Sequence, residues 1–533
     1  AWIADENGEL PAKAWAAARN ERFAVVEAAE LPMLAPEAAT ADAWFLAATN
    51  QIDYLVVASR ALASAAQELA DYRAGQGLRT GVAVFEDACD LLTGGLRTPE
   101  AVPALLTYAQ TKWAAAPWLV VLAGNGNYDY LGVKSNEVNH IPPLLLATKD
   151  GIFAADGRLA DTDGDGLPDV ALGRLPARNA TDLTAMIAKI KAYETDFGAA
   201  WQGKIVLAND IDDPAAGAFA AASGQLADLM QPPQYVPEQI DLNKATPTAA
   251  RASLLNWFKN GAGFIHYTGH GGAKNWSAKN LLKDTDVNTM VNTPKPVVVA
   301  LTCLAGRFEM PGVDNLGEVL LQRATGGAVA VWSPSGLSRN APAVELGTAF
   351  YRAILHAGCG TLGLATTQAR RALQSDAFSQ DTLSVYNLLG DPALRIAGKL
   401  AGQSTDASFA EWRWQRFTPA ELADPEISGS TGANIMEYAF AGVGVIETES
   451  TSGGGSGTGA DGFVVQWKRR IQRNDVEYRL FVSEDLQTWE AGGEDLQELG
   501  ATAEPDGVME VVRTNIRRPN AMHVFVGIRA WQK

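Results

Sequence analysis

From Ile52 onward, short apolar runs alternate with longer amphipathic stretches. "DYLVVAS" (53–59) reads as a buried strand, "ALASAAQELADYRAGQG" (61–77) as a helix stopped by glycines, and "RTGVAVFE" (79–86) as the next strand. The helical "TPEAVPALLTYAQTKWAAA" (98–116) then leads into the strand "PWLVVLAGNG" (117–126). The alternation pauses over "DTDGDGLPDVALGRLPARN" (161–179) and resumes with the helix "ATDLTAMIAKIKAYETDF" (180–197) and the strand "GKIVLAND" (203–210). A helix around Phe219 to Met230 follows, then the strands "GAGFIHYTGH" (261–270) and "PVVVALTC" (296–303), the helix "NLGEVLLQRA" (315–324) and the strand "GGAVAVWS" (326–333). Strands alternating with helices in this way predict a parallel α/β sheet.

The texture marks out five segments. Residues 1–50 are Ala-rich without a clean period and read as the end of a preceding module or a packed extension. Residues 51–200 and 201–398 read as two α/β subdomains, 399–460 as an irregular stretch with the Gly/Ser linker "TESTSGGGSGTGADG", and 461–533 as a small β domain. Strands are expected there at "FVVQWKRR", "VEYRLFVSE" and "HVFVGIRAW".

Composition narrows the function classes. With 533 residues the chain exceeds one ordinary core. A net charge of −18 argues against a nucleic-acid partner, because phosphate binding needs clustered Lys and Arg in excess. No apolar run approaches the roughly 20 residues of a membrane helix. Ala1 in place of Met and the lack of a signal-type segment fit a processed or a trimmed chain. Three cysteines, Cys89, Cys303 and Cys359, are too few for a disulfide framework and, within one chain, leave at least one free thiol.

Cys303 follows a β-branched run, and His270 leaves the preceding candidate strand at the equivalent end, pinned between Gly269 and Gly271. If those strands are parallel neighbours, thiol and imidazole face one crevice at the carboxyl ends of the sheet. A thiol with pKa near ~8.5 and an imidazole near ~6.5 make a nucleophile and a general acid or base, a pair suited to acyl transfer. The backbone N–H groups of Gly271 and Cys303 are candidates for an oxyanion hole. Asp210 ends a strand of the same half and is a candidate to orient the imidazole, with Asp212 and Asp213 competing for that role. Cys89 and Cys359 read as packing residues. His266 and His270 do not read as a zinc pair, because their segment is a strand and no Glu adjoins the first histidine.

The motifs "HYTGHGG", "VALTCLAGRF", "DNLGEVLL", "GGAVAVWSPSGLS" and "YNLLGDPALRI", in this order and spacing, resemble the gingipain family of cysteine peptidases, related to caspases. "DYLVVAS", "LAGNGNYDYLG", "IPPLL" and "LPDVALGRLPAR" resemble the same family's first subdomain, so that the likeness runs from about Ile52 to Ile396. It implies a two-subdomain caspase-like α/β fold with a parallel sheet and helices on both faces, followed here by the small C-terminal β domain. It further implies a secreted bacterial cysteine endopeptidase with Cys303 as nucleophile, His270 as proton donor to the leaving amine, Gly271 and Cys303 as oxyanion hole, and Asp210 as the histidine-orienting acid. No cofactor is needed for catalysis, and the expected partners are protein or peptide substrates. Thr268, Leu301 and Trp332 lie where similar enzymes line the specificity pocket. The acid that floors this pocket in Arg-specific members is missing from "PAAGAFAAASGQLA", so a neutral or small side chain fits as well as a basic one.

Other signals stand beside this reading. Asp161, Asp163, Asp165 and Asp169 have the spacing of an oxygen-ligand calcium loop with Gly166 at the turn, although the twelfth position is Leu172 rather than Glu, and a structural Ca²⁺ is expected. "GNGNYDY" lacks the third glycine of a dinucleotide fingerprint and reads as a tight turn at the subdomain interface. The C-terminal "VSEDLQTWE" and the preceding "NIMEYAFAG" resemble segments of accessory β domains in secreted bacterial proteins, a kind of domain that could attach the enzyme, bind a surface or bind nothing; Trp489 and Trp531 read as core aromatics of a sandwich. The rival to an enzyme is a catalytically silent peptidase-like scaffold or assembly module that uses the C-terminal β domain.

Overall fold

The structure is a computed structural model and describes residues 43–196, 199–230, 236–355, 359–373 and 377–396, with seven strands between residues 447 and 532. The first half contains β1 (Tyr54–Ala58), α1 (Ala63–Ala74), β2 (Thr80–Val84), α2 (Phe85–Leu92), α3 (Ala101–Lys112), β3 (Leu119–Ala123), the hairpin β4 (Leu145–Thr148) and β5 (Gly151–Ala154), β6 (Ala171–Leu175) and α4 (Ala180–Thr195). The second half continues with β7 (Lys204–Asn209), α5 (Phe219–Leu229), β8 (Val236–Asp241), α6 (Pro247–Asn260) and β9 (Phe264–Thr268). The short strands β10 (Gly271–Gly272), β11 (Asn275–Trp276) and β12 (Leu282–Lys283) precede α7 (Asp284–Val287), β13 (Val297–Leu301), α8 (Leu316–Gln322) and β14 (Ala330–Pro334). Three helices, α9 (Asn340–Leu355), α10 (Leu362–Arg371) and α11 (Ala377–Val385), lead to β15 (Tyr386–Leu389).

Ten of these strands form one sheet in the order β2-β1-β3-β6-β15-β14-β13-β9-β7-β8. β15 runs parallel to β6 and antiparallel to β14, so the two parallel halves point in opposite directions across that junction. Alternating residues of β1 explain the layers. Tyr54, Val56 and Ala58 face one apolar cluster shared with α1 and α4, whereas Leu55 and Val57 face another built with α2 and α3. The sheet is thus covered on both faces, and β13, with all five residues Val297–Leu301 buried, reads as an unbroken apolar run for that reason. Each such aliphatic side chain contributes about 1.5–3 kcal/mol by leaving water.

Two departures from the sequence pattern matter. The stretch expected to pause contains β6, and the segment between α5 and β9 holds β8 and α6. Buried polar groups tie the halves together. Arg73 on α1 reaches Glu194 on α4 at 2.9 Å and Asp391, just beyond β15, at 2.6 Å. The turn at Asn125–Tyr128 meets the segment after Cys303, the Tyr128 N–H donating to the Glu309 carbonyl at 2.9 Å.

Beyond residue 446 the described strands are β16 (Glu447–Glu449), β17 (Phe463–Arg470), β18 (Val476–Ser483), β19 (Glu490–Ala491), β20 (Leu496–Ala503), β21 (Met509–Ile516) and β22 (Phe525–Gln532). They pair as one four-stranded and one three-stranded antiparallel sheet. Nearly all of residues 1–50, most of 399–460, Trp489 and the side chain of Trp531 lie outside what is described.

Candidate active site

β9 and β13 are parallel neighbours, and Thr268 stands opposite Leu301. His270 and Cys303 each lie two residues beyond that pair, so both chains leave the sheet in step at its carboxyl edge. The glycines around His270 are required by close packing. Gly269 has φ +154°, and a Cβ there would overlap the Cβ of Asp210 and lie 2.7 Å from the Tyr267 hydroxyl. A Cβ on Gly271 would overlap Thr302 Oγ1 and lie 3.2 Å from the Cys303 carbonyl oxygen. The histidine loop therefore presses on the acid-bearing loop on one side and on the nucleophile turn on the other.

Cys303 is half-buried. Its Sγ accepts from the Ser338 N–H at 3.4 Å and faces the Ser338 carbonyl, also at 3.4 Å. Burial pushes the thiol pKa up, and the Ser338 N–H opposes this. Leu304, next in the chain, holds φ +59°, a conformation costing about 1–3 kcal/mol for a residue other than glycine. The turn is held in place by Leu304 N–H to the Gly336 carbonyl at 3.0 Å and Gly306 N–H to the Pro334 carbonyl at 2.9 Å.

The imidazole of His270 is half-exposed, with the Phe219 ring edge-on at 5.3 Å. Its Nε2 lies 2.9 Å from Asp213 Oδ2. The Ala215 N–H, then the imidazole, hold the Asp213 carboxyl below the usual carboxylate range. Asp210, expected to orient the ring, instead lies buried beneath the loop. Its carboxylate accepts from Ser277 Oγ at 2.7 Å, the Ile211 N–H at 2.8 Å, and the His270 N–H and Tyr267 hydroxyl, both at 3.3 Å. It holds the histidine by the backbone. The difference comes from the tight turn in which Asp213 bridges Gly217, which lifts Asp213 to the ring. Asp212 turns away and accepts the Ala220 N–H at 2.9 Å.

Both oxyanion candidates are available as donors. Ser277 N–H donates to the His270 carbonyl, which makes 270 and 277 a hydrogen-bonded pair; Gly271 opposite Trp276 is then a non-bonded pair, its N–H directed away from β11. The Cys303 N–H makes no hydrogen bond among the described residues. The expected pocket lining differs. Thr268 and Trp332 are 0% and Leu301 2% exposed. Thr268 Oγ1 is bonded to His266 Nε2 at 2.9 Å, Leu301 packs under Gly347, and the Trp332 indole lies against Phe350 and Tyr386. They form core beneath the site rather than exposed walls, because all three sit within fully buried strands.

In the acidic loop, carboxylate oxygens of Asp161, Asp163 and Asp169 lie within 4.8 Å of one another. Asp165 does not join them; its Oδ1 accepts the Leu167 N–H at 2.7 Å. Burial raises the pKa of Asp161 and Asp169. Asp169 Oδ1 is buried without a hydrogen bond, although Arg371 lies 3.6 Å away, and Arg158 pairs with Asp161 at 3.2 Å. Three converging carboxylates with one oxygen left unbonded fit a hard divalent cation.

Residues 47–397 match the profile of peptidase family C25. The chain belongs to this family. C25 peptidases are cysteine peptidases, and the matched stretch spans the whole ten-stranded sheet with Cys303 and His270, leaving the strands from Glu447 outside it. The fold is also that of the Arg-specific cysteine proteinase gingipain R, with TM-score 0.56 at 16% identity, covering 90% of this chain and 95% of that one. The complex of the pro- and mature domains of RgpB from Porphyromonas gingivalis gives TM-score 0.56 at 15% identity over 90% and 97% of the two chains. No curated protein sequence matches the chain. Among the described residues no helix is long and apolar enough to cross a membrane.

Sequence reasoning had no way to single out Phe219, Ser277 and Ser338. Phe219 begins a helix, Ser277 lies seven residues past His270 on the far side of a hairpin turn, and Ser338 reaches Cys303 from 35 residues further along the chain.

Proposed function

We propose that this C25 member is an endopeptidase acting outside the cytoplasm through Cys303 and His270. The observation that carries the reading is the register of β9 and β13, which sets imidazole and thiol two residues beyond one paired position. His270 takes the thiol proton, and Sγ adds to the scissile carbonyl carbon as the carbonyl π pair moves onto oxygen. The Gly271 and Cys303 N–H groups receive that oxyanion. The C–N bond then breaks, the imidazolium proton passes to the leaving amine, and a thioester remains on Cys303. Water, deprotonated by His270, displaces the thiolate and regenerates the enzyme. Asp213 keeps the ring oriented through its contact with Nε2.

Asp161, Asp163 and Asp169 would hold a structural Ca²⁺, which supplies no chemistry at the thiol, and the C-terminal strands would attach the enzyme to a cell surface. The experiment is hydrolysis of a mixed peptide library under reducing conditions by the wild type and Cys303→Ala. Cleavage lost in the variant supports the reading, and equal cleavage rejects it. The silent scaffold is favoured by one observation, the raised thiol engaged with Ser338. It would be supported by no cleavage and no alkylation of Cys303 with calcium present.

A further inference from the structure

We infer that the cleft beside the dyad takes an uncharged, apolar side chain of the peptide, held between Ile211 and Leu337. The inference rests on the peptidase reading above. Ile211 is bracketed by the two acids that hold His270, Asp210 at the backbone N–H (3.3 Å) and Asp213 at the ring Nε2 (2.9 Å). Leu337 is bracketed in the same way by the two residues that hold the nucleophile turn. The Gly336 carbonyl accepts the Leu304 N–H at 3.0 Å, and Ser338 meets Sγ at 3.4 Å. Each aliphatic side chain is thus within one or two residues of a group touching His270, Cys303 or Leu304.

Both are open to solvent, Ile211 at 39% and Leu337 at 42%, whereas the leucines and isoleucines of the sheet are buried. The two segments also meet. A Cβ on Gly217 would overlap the side chain of Asn340, so the Asp213–Gly217 turn abuts the start of α9 just beyond Leu337. The turn itself offers only Pro214, Ala215 and Ala216 between its ends.

Charge points the same way. The acids on the Ile211 side are engaged: Asp210 with four donors, Asp212 with the Ala220 N–H, and Asp213 with the Ala215 N–H and the imidazole. Of these, Asp210 is buried and Asp213 is held by the imidazole, so a guanidinium or ammonium group drawn in here would have only exposed Asp212 to meet it. A basic preference has one other source. Exposed Asp150, at the β4–β5 turn, carries a charge felt at the Cys303 thiol, and the test includes it.

The test labels the full chain with peptidyl acyloxymethyl ketones that differ only in the residue next to the warhead, Leu, Ala, Arg, Lys or Asp, and reads modification of Cys303 by intact mass. In parallel, fluorescein-labelled peptides with Leu or Arg at that position are titrated onto Cys303→Ala protein. The Leu probe should react about tenfold or more faster than the Arg probe, the range one apolar pocket supplies. Leu337→Asp and Ile211→Asp should each cancel that preference, and Asp150→Asn should leave it in place. Faster labelling by Arg or Lys probes overturns the inference, as does a Leu preference indifferent to both Asp variants. If no probe labels Cys303 but the Leu peptide binds Cys303→Ala better than the Arg peptide, the cleft stands and the peptidase reading falls. If nothing labels and neither peptide binds, the cleft falls as well.

Discussion

His270 Nε2 lies 2.9 Å from Asp213 Oδ2, while Asp210, three residues earlier, grips the same histidine by its backbone N–H. The two acids therefore hold different parts of one histidine, Asp213 setting the ring and Asp210 setting the loop.

Asp213→Asn should lower kcat/KM by roughly 10- to 10³-fold. Its melting temperature should stay near wild type, because the residue is open to water and surface substitutions usually change stability little. Asp210→Ala should lower both quantities, since it strands the Ser277 hydroxyl and the Ile211 and His270 N–H groups, while the Tyr267 hydroxyl keeps the His270 carbonyl at 2.7 Å, and each hydrogen bond to a charged group is worth about 1.5–3 kcal/mol. Kinetics and thermal melts on both variants separate the roles. Wild-type turnover in Asp213→Asn, with a deficit in Asp210→Ala at unchanged stability, would return ring orientation to Asp210.

The thiol gives a second expectation. Burial raises the Cys303 pKa, so the resting enzyme holds the protonated form at neutral pH. Alkylation of Cys303 by iodoacetamide should then climb about tenfold per pH unit between pH 7 and 8, following the thiolate fraction. A rate already level below pH 7, made steep by His270→Ala, would show instead a resting thiolate–imidazolium pair.

Much of this arrangement is legible in the sequence, for identifiable reasons. β9 and β13 are apolar throughout because helices cover both faces of the sheet, and the glycines around His270 mark real contacts. β6 escapes notice because Gly173 and Arg174 interrupt its pattern. A Cβ at Gly173 would crowd the Gly390 carbonyl, and Arg174 is buried only by virtue of Asp156 at 2.6 Å and the carbonyls of Gly124 and Ile141. β8, "VPEQID", is polar because it is the edge of the sheet and pairs with β7 alone. The helix α6 does carry its start signal, Thr246 capping and Pro247 in the first turn. Which of the acids in "NDIDD" meets the imidazole depends on the Asp213–Gly217 bridge, and burial of Trp332 depends on Phe350 and Tyr386 from distant segments. Periodicity does not encode such contacts.

Calcium should stabilise the chain through the acidic loop. At a free concentration one hundred times Kd the expected gain is about 2.7 kcal/mol. It should appear as a rise in melting temperature absent from Asp163→Asn, and terbium should bind the wild type with the same loss in that variant. A calcium-induced rise that survives in Asp163→Asn would place the ion elsewhere.

The final expectation concerns pH and stability. Burial pushes Glu318 up to about 8 and Glu309 up to about 7, from the usual 4.5. Glu318 belongs to the capping box of α8, where its Oε2 accepts from the Asn315 backbone at 3.3 Å and side chain at 2.6 Å. Because the fold prefers the protonated carboxyl, this contribution is fully present below about pH 4.5 and is lost as pH rises through 7 to 8. Each group can supply a slope of up to about 1.4 kcal/mol per pH unit within its window. Carboxylates with the opposite shift act elsewhere. Asp241, held at about 2 by Asn209 and Asn243 despite desolvation, contributes stability that is lost only as pH falls below the ordinary carboxylate range. Urea midpoints between pH 5 and 8 therefore isolate the buried pair. Wild type should lose stability steadily over that range, and Glu318→Gln, which keeps an oxygen for Asn315 but cannot ionise, should flatten the curve and overtake wild type toward pH 8. Parallel curves for the two proteins would show that Glu318 titrates in the ordinary range and that its cap is ionised in the fold.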